Sequence, residues 1–203
     1  MRRFSTRTLL AAASAALAAV LLIAGGLALW GSAYVHNTVR GQLASQQIFF
    51  PPASAFAHAK AGTEITPGMI PLVSQYAGQQ MLTGQQAEAY ADHFIAVHIQ
   101  NMGAGKTYSQ LSAESIAQPG NTALAATVST VFKGETLRSM LLNAYGWWKV
   151  SQIVYIVSLV LFGLATIAGL ASAYLFTFGR RPGTAGQVAQ PGDHESITPA
   201  TTA

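Results

Sequence analysis

A chain of 203 residues that is 51% hydrophobic and only 9% charged carries far less charge than the roughly 25% typical of a soluble domain, and its uncharged residues gather into two long runs, one near each end. Much of the net charge of +4 comes from Arg2, Arg3, Arg7, Arg180 and Arg181 beside those runs, so the interior lacks the clustered basic face of a nucleic-acid binder. The absence of cysteine excludes disulfide staples and thiolate metal sites, and leaves any domain between the runs to be held by packing.

Residues 1–8 form a basic N-terminus. From Leu9 to Trp30 no residue is charged, and at 1.5 Å per residue that run covers about 33 Å, enough for a hydrocarbon core of ~30 Å. A first transmembrane helix is placed over 9–34. A cleavable signal peptide is the rival reading, since Arg2, Arg3 and Arg7 make a positive start and Gly31-Ser32-Ala33 resembles a small-residue cleavage site. The run exceeds the usual apolar length of roughly 7–15 residues, and a helical pattern continues past it, which predicts an uncleaved signal anchor.

Thr38 to Gln47 is polar and extends that helix into water until Pro51-Pro52 stops it. Ala53 to Pro71 reads as loop. Thr83-Gly84-Gln85-Gln86 fits a capping box and opens a helix to about Gln100. Ala87, Tyr90, Ala91, Phe94, Val97 and His98 fall on one side of it, with Gln85, Glu88 and Asp92 on the other. A turn at Gly103-Ala104-Gly105, a segment from Thr107 to Ser112 and a break at Pro119-Gly120 follow. Asn121 or Thr122 caps a helix through Phe132, and Glu135 to Tyr145 continues with Leu137, Leu141 and Ala144 on one stripe. Gly134 leaves open whether residues 122–145 form one helix or two.

The second uncharged run gives a transmembrane helix over 150–178, ahead of a Gly/Pro/Thr-rich tail at 179–203 that reads as disordered. Trp30 and Tyr34 on the first span, with Tyr145, Trp147 and Trp148 before the second, predict an aromatic belt at one interface. Arginines outside the far end of each span, with Arg180 and Arg181 closing the second, predict that both termini are cytoplasmic. The expected fold is all-α: a two-transmembrane-helix hairpin in the cell membrane with a helical extracytoplasmic domain at 35–149. Small residues recur every fourth position, at Ala24, Ala28 and Ser32 and at Ala165, Gly169 and Ala173, the spacing that lets helix backbones approach in lipid.

Neither span holds an ionisable residue of the kind that marks a transport or proton pathway. Glu88, Asp92, His93 and His98 are the one cluster with metal-ligand donors, but histidines five apart on a helix diverge by about 140°, unlike the i, i+4 pair that grips zinc. Gly105-Lys106-Thr107 imitates the end of a phosphate-binding loop, yet Gln100 stands where the motif needs glycine. No nucleophile motif is present. The sequence therefore predicts no catalytic residue, no metal site and no cofactor. A lipid-phosphate contact from Arg138 or Lys149 is compatible with their place near the headgroups.

Along Val39-Arg40-Gly41-Gln42-Leu43-Ala44-Ser45-Gln46-Gln47-Ile48, then Ala91 to His98 with Gly105-Lys106-Thr107-Tyr108, then Glu135-Thr136-Leu137-Arg138-Ser139-Met140-Leu141-Leu142, the chain resembles small actinobacterial two-pass membrane proteins of unknown function. The resemblance spans about Thr8 to Arg181; it implies the same topology and carries no catalytic residue across. Three functions remain on these readings. The leading one is a non-catalytic accessory protein whose partners are the lipid bilayer and a membrane or envelope protein. The alternatives are a lipid or small-ligand binding module, with a pocket between the Tyr90/Phe94 and Leu137/Leu141 helices, and a metal-dependent enzyme using His93 and His98.

Overall fold

The computed structural model describes residues 6–61 and 63–178. The basic start at 1–5, Arg180, Arg181 and the tail at 179–203 lie outside the described residues. Within them the chain is all-helical, with a single isolated bridge between Phe49 and Gln80 and no strand. Two helices dominate, α1 (Thr6–Ser45) and α7 (Thr122–Thr177), and both are long and apolar enough to cross a membrane.

The two long helices run antiparallel and pack along most of α1. Their buried residues recur every seventh position: Ala11, Ala18, Gly25, Ser32 and Val39 on α1, and Ser151, Ser158, Ala165 and Ser172 on α7. A seven-residue period keeps one seam facing its partner only if the pair winds into a left-handed supercoil. Two serines fix the register, with Ser32 Oγ donating to the Ser151 carbonyl at 2.7 Å and Ser172 Oγ donating to the Ala11 carbonyl at 2.9 Å. Those bonds set Ala18 level with Ala165 and Gly25 level with Ser158. A Cβ on Gly25 would stand 3.1 Å from the Phe162 ring, so the glycine sets how closely the helices meet.

The expected four-residue rows are thus redistributed. Ser32 and Ala165 are in the seam, Ala24, Ala28 and Gly169 are half-buried beside it, and Ala173 is exposed. An alanine-rich helix offers small residues at both spacings, and supercoiling selects the sevenfold one.

The remaining helices form a cap at one end of this hairpin: α2 (Ala53–Ala57), α3 (Ile70–Val73), α4 (Gly84–Tyr90), α5 (Ala96–Met102) and α6 (Tyr108–Ala117). Ala53 to Pro71 is thus less irregular than its glycines and prolines imply, since α2 and a 3₁₀ turn at Pro67–Met69 leading into α3 supply local hydrogen bonds. Backbone pairing of Phe50 with Gln79 and of Met81 with Ile48 ties the exit of α1 to the segment before α4. The Gln80 side chain also donates to the Ala44 carbonyl, satisfying one of the free acceptors at the end of α1.

Thr83 forms the expected capping box: its hydroxyl accepts from the Gln86 N–H, while Gln86 Oε1 accepts from the N–H groups of Thr83 and Leu82. The helix it starts runs to Met102, but a π turn at Ala91–Ile95 inserts between α4 and α5 and rotates the face that follows. Ile95 and Ile99 are buried as a result, with Val97 partly buried against the same core. A second capping box at Thr107 and Gln110 opens α6 and carries it to Ala117, beyond Ser112. Asn121 caps α7 through Leu124 N–H, and α7 passes Gly134 without a break. That glycine has a packing role: a Cβ there would approach Ile99 to 2.8 Å. The cap core gathers Met69, Val73 and Met81, all fully buried, around Phe50, Leu43, Leu141 and Val131.

Candidate functional site

The functional surfaces cluster where the cap meets the hairpin. α4 enters at Gly84, which lies on Trp148: a Cβ added at Gly84 would stand 2.3 Å from the Trp148 Cβ, so no other residue fits without moving a helix. On its other side Trp148 stacks against His36 of α1, with ring centroids 3.8 Å apart. One aromatic side chain therefore joins three helices. Trp148 is only 4% exposed, and its indole N–H finds no acceptor among the described residues. That unpaired donor is the one costly polar burial at the junction.

Trp148 is set apart from the other aromatic residues around it. Trp30 and Tyr34 stack on each other at 5.8 Å and are exposed, and Trp147 is exposed as well, as belt residues would be. Trp148, one residue on, points inward, and Tyr145 is half-buried with Lys149 Nζ 5.5 Å over its ring. Sequence shows two adjacent tryptophans as alike; only the arrival of Gly84, distant in the chain, separates them.

Beside this junction α1 and α7 diverge into an open groove of about 510 Å³. Leu29, Ala33, His36 and Asn37 line it from α1, and Gln152, Tyr155 and Ile156 from α7, with Ser32 and Ser151 at its base. The helices run in opposite directions, so His36 and Asn37 lie at the end nearer the cap, Gln152 lies in the middle at the level of Ser32, and Leu29 and Ile156 share the deeper end. The groove is therefore polar at one end and apolar at the other. Its polar residues lie in and just beyond the apolar runs.

The residues singled out as metal donors are not brought together. Asp92, on the π turn, is held by Arg138 of α7 at 2.8 Å through the guanidinium, with Glu135 at 3.6 Å from the same side chain. The hydrogen bond it donates to Asp92 is the main reason the Arg138 guanidinium is held above its ordinary value; burial opposes it, and the charges of Asp92 and Glu135 add to it. His98 Nδ1 lies 2.7 Å from the Phe94 carbonyl, and Glu88 faces the Tyr145 hydroxyl. Among the described residues no group of three or more His, Asp or Glu converges. Lys106 pairs with Glu114 at 2.7 Å and Thr107 caps α6, which accounts for the loop that imitates a phosphate-binding motif.

The place expected for a ligand pocket, between the Tyr90/Phe94 helix and α7, is occupied by side chains. Ile99 fills the notch at Gly134, the Asp92–Arg138 pair bridges the middle, and Trp148 closes the end. Tyr76, Phe50, Tyr90, Phe94 and His98 form a ring ladder with successive centroids 4.5–5.3 Å apart. Burial, and then the Glu64 charge, raise the Tyr90 hydroxyl above its usual value, so it stays neutral.

A third surface lies higher on the cap. Tyr108 and Phe132 meet at 5.4 Å, and with Met140 they line a shallow depression of about 350 Å³. Phe132, Met140 and nearby Ile116 are more than half exposed.

No protein-family model, no curated protein and no solved structure matches the chain.

Proposed function

We propose that the chain is a two-pass protein of the cell membrane that acts without catalysis, holding its helical cap on the extracytoplasmic side to bind another membrane or envelope protein. The observation that carries this reading is the exposed Tyr108/Phe132/Met140 surface. Phe132 lies roughly 27 Å along α7 from Val150, and Met140 roughly 15 Å, at 1.5 Å rise per residue. A bilayer whose core ends near Val150 does not reach them. Aromatic residues and methionine are enriched at protein interfaces, and here they stand exposed beyond lipid with Glu135, Thr136 and Ser139 beside them, the mixed apolar and polar make-up of a protein-binding surface.

The membrane part rests on the two long apolar helices, the uncharged faces they present and the arginines beside them. The two-pass topology is also the one implied by the resemblance at Val39–Ile48 and Glu135–Leu142.

A photoreactive amino acid placed at Phe132 or Met140 in intact cells tests the partner. One discrete protein adduct from both positions, absent when the probe stands at lipid-facing Leu17, is the expected result. Adducts to lipid alone, together with recovery of the chain as a lone monomer after mild detergent extraction, would refute the partner.

A further inference from the structure

We infer that the groove between α1 and α7 is a binding site for one anionic phospholipid of the cap-side leaflet, its phosphate at the His36/Asn37 end and an acyl chain along the Leu29/Ile156 end. The inference rests on the membrane reading above, but not on which side of the membrane the cap occupies.

Three observations lead to it. The groove straddles the level where the uncharged runs end, so it spans the boundary between headgroups and hydrocarbon. Its polarity follows that boundary, with His36 and Asn37 toward the cap, the Gln152 amide at mid-groove and Leu29 and Ile156 deeper, which is the polarity of a single phospholipid. The helical rows that form its walls also end in cations. Arg40 stands one turn outward from His36 on α1, and Lys149 one turn outward from Gln152 on α7. Both are exposed, and neither belongs to an ion pair among the described residues.

Charge complementarity therefore selects an anionic headgroup over a zwitterionic one, since each basic residue near the surface contributes to holding an anionic lipid. The stack of His36 on Trp148 makes the polar wall rigid, because the tryptophan is itself clamped by Gly84. The deep wall needs no specific contact beyond the fit of a chain against Leu29, Ala33 and Ile156.

The test uses the full chain, delipidated in detergent, with phosphatidylglycerol or phosphatidylcholine added and the bound species counted by native mass spectrometry. Wild-type protein is expected to retain one phosphatidylglycerol in preference to phosphatidylcholine. Removing both charges in Arg40→Gln/Lys149→Gln weakens phosphatidylglycerol roughly thirtyfold and leaves phosphatidylcholine unchanged. Ala33→Phe, at an exposed helix position inside the groove, displaces both lipids while helicity and Tm stay at wild-type values. Equal retention of the two lipids by wild type, or undiminished phosphatidylglycerol on Ala33→Phe, overturns the site.

Reconstitution into vesicles separates the two ways of failing. Protein stripped from vesicles by alkaline wash would sink the membrane reading and the site with it. Protein that resists the wash but shows no headgroup preference sinks the lipid site alone.

Discussion

The hairpin and the cap are built on opposite plans. In the hairpin the seam is alanine, glycine and serine, and the large residues Leu10, Ile23, Ile167 and Leu170 face outward. In the cap the large residues Met69, Met81 and Val73 are fully buried, and the exposed apolar side chains include Ile116, Phe132 and Met140. A cap built this way is held by removing apolar surface from water. In the membrane proposed for it, a hairpin built the other way gains nothing from that effect, and is held by close backbone approach and by hydroxyls bonded across the seam. The same chain thus carries two solvents' worth of design, joined at one buried tryptophan.

The join is the place to break the comparison hardest. Gly84→Val forces a side chain into Trp148, and about 3 kcal/mol of cap stability is lost by overpacking. Limited proteolysis would show the cap released, with the hairpin intact and still membrane-bound. Gln86→Leu acts within the cap alone: two backbone N–H groups lose their acceptor, at a cost of about 2 kcal/mol read as a lowered Tm. Arg138→Met is milder. Its pair with Asp92 is about a third exposed on both sides, so solvent screening holds the loss to about 1 kcal/mol.

Changes to the seam sharpen the contrast from the other side. Ser32→Ala removes a bond across the hairpin worth about 0.6 kcal/mol in lipid. A detergent titration of a label pair on the two spans would detect it, with the cap's thermal transition unmoved. The smallest effect is one of pH. Tyr90 has a raised folded-state pKa, so its contribution to cap stability is complete below its unfolded value of about 10 and is lost as pH rises through the folded value. Tyr90→Phe should remove part of the alkaline decline in Tm and leave the neutral value unchanged.

Much of the plan was legible because it is local. Uncharged length marks both long helices, Thr83 and Gln86 mark the start of α4, and Asn121 marks the start of α7. What stayed hidden depends on distant partners. The sevenfold seam was masked because the alanines also fit a fourfold row. The burial of Trp148 needs Gly84, and the open question at Gly134 is answered by Ile99. The π turn leaves no periodic trace, so nothing in the spacing adds Ile95 and Ile99 to the side marked by Tyr90, Phe94 and Val97. The groove escaped notice because His36, Asn37 and Gln152 belong to two helices, and no single stretch brings them together.

The central claim is that both apolar helices cross a bilayer with the cap opposite the two termini. Because the chain has no cysteine, single cysteines introduced in intact cells report position directly. Ser109→Cys on exposed α6 should react with a membrane-impermeant maleimide before lysis, and Thr201→Cys only after it. Labelling of both positions before lysis, or of neither, would contradict the account.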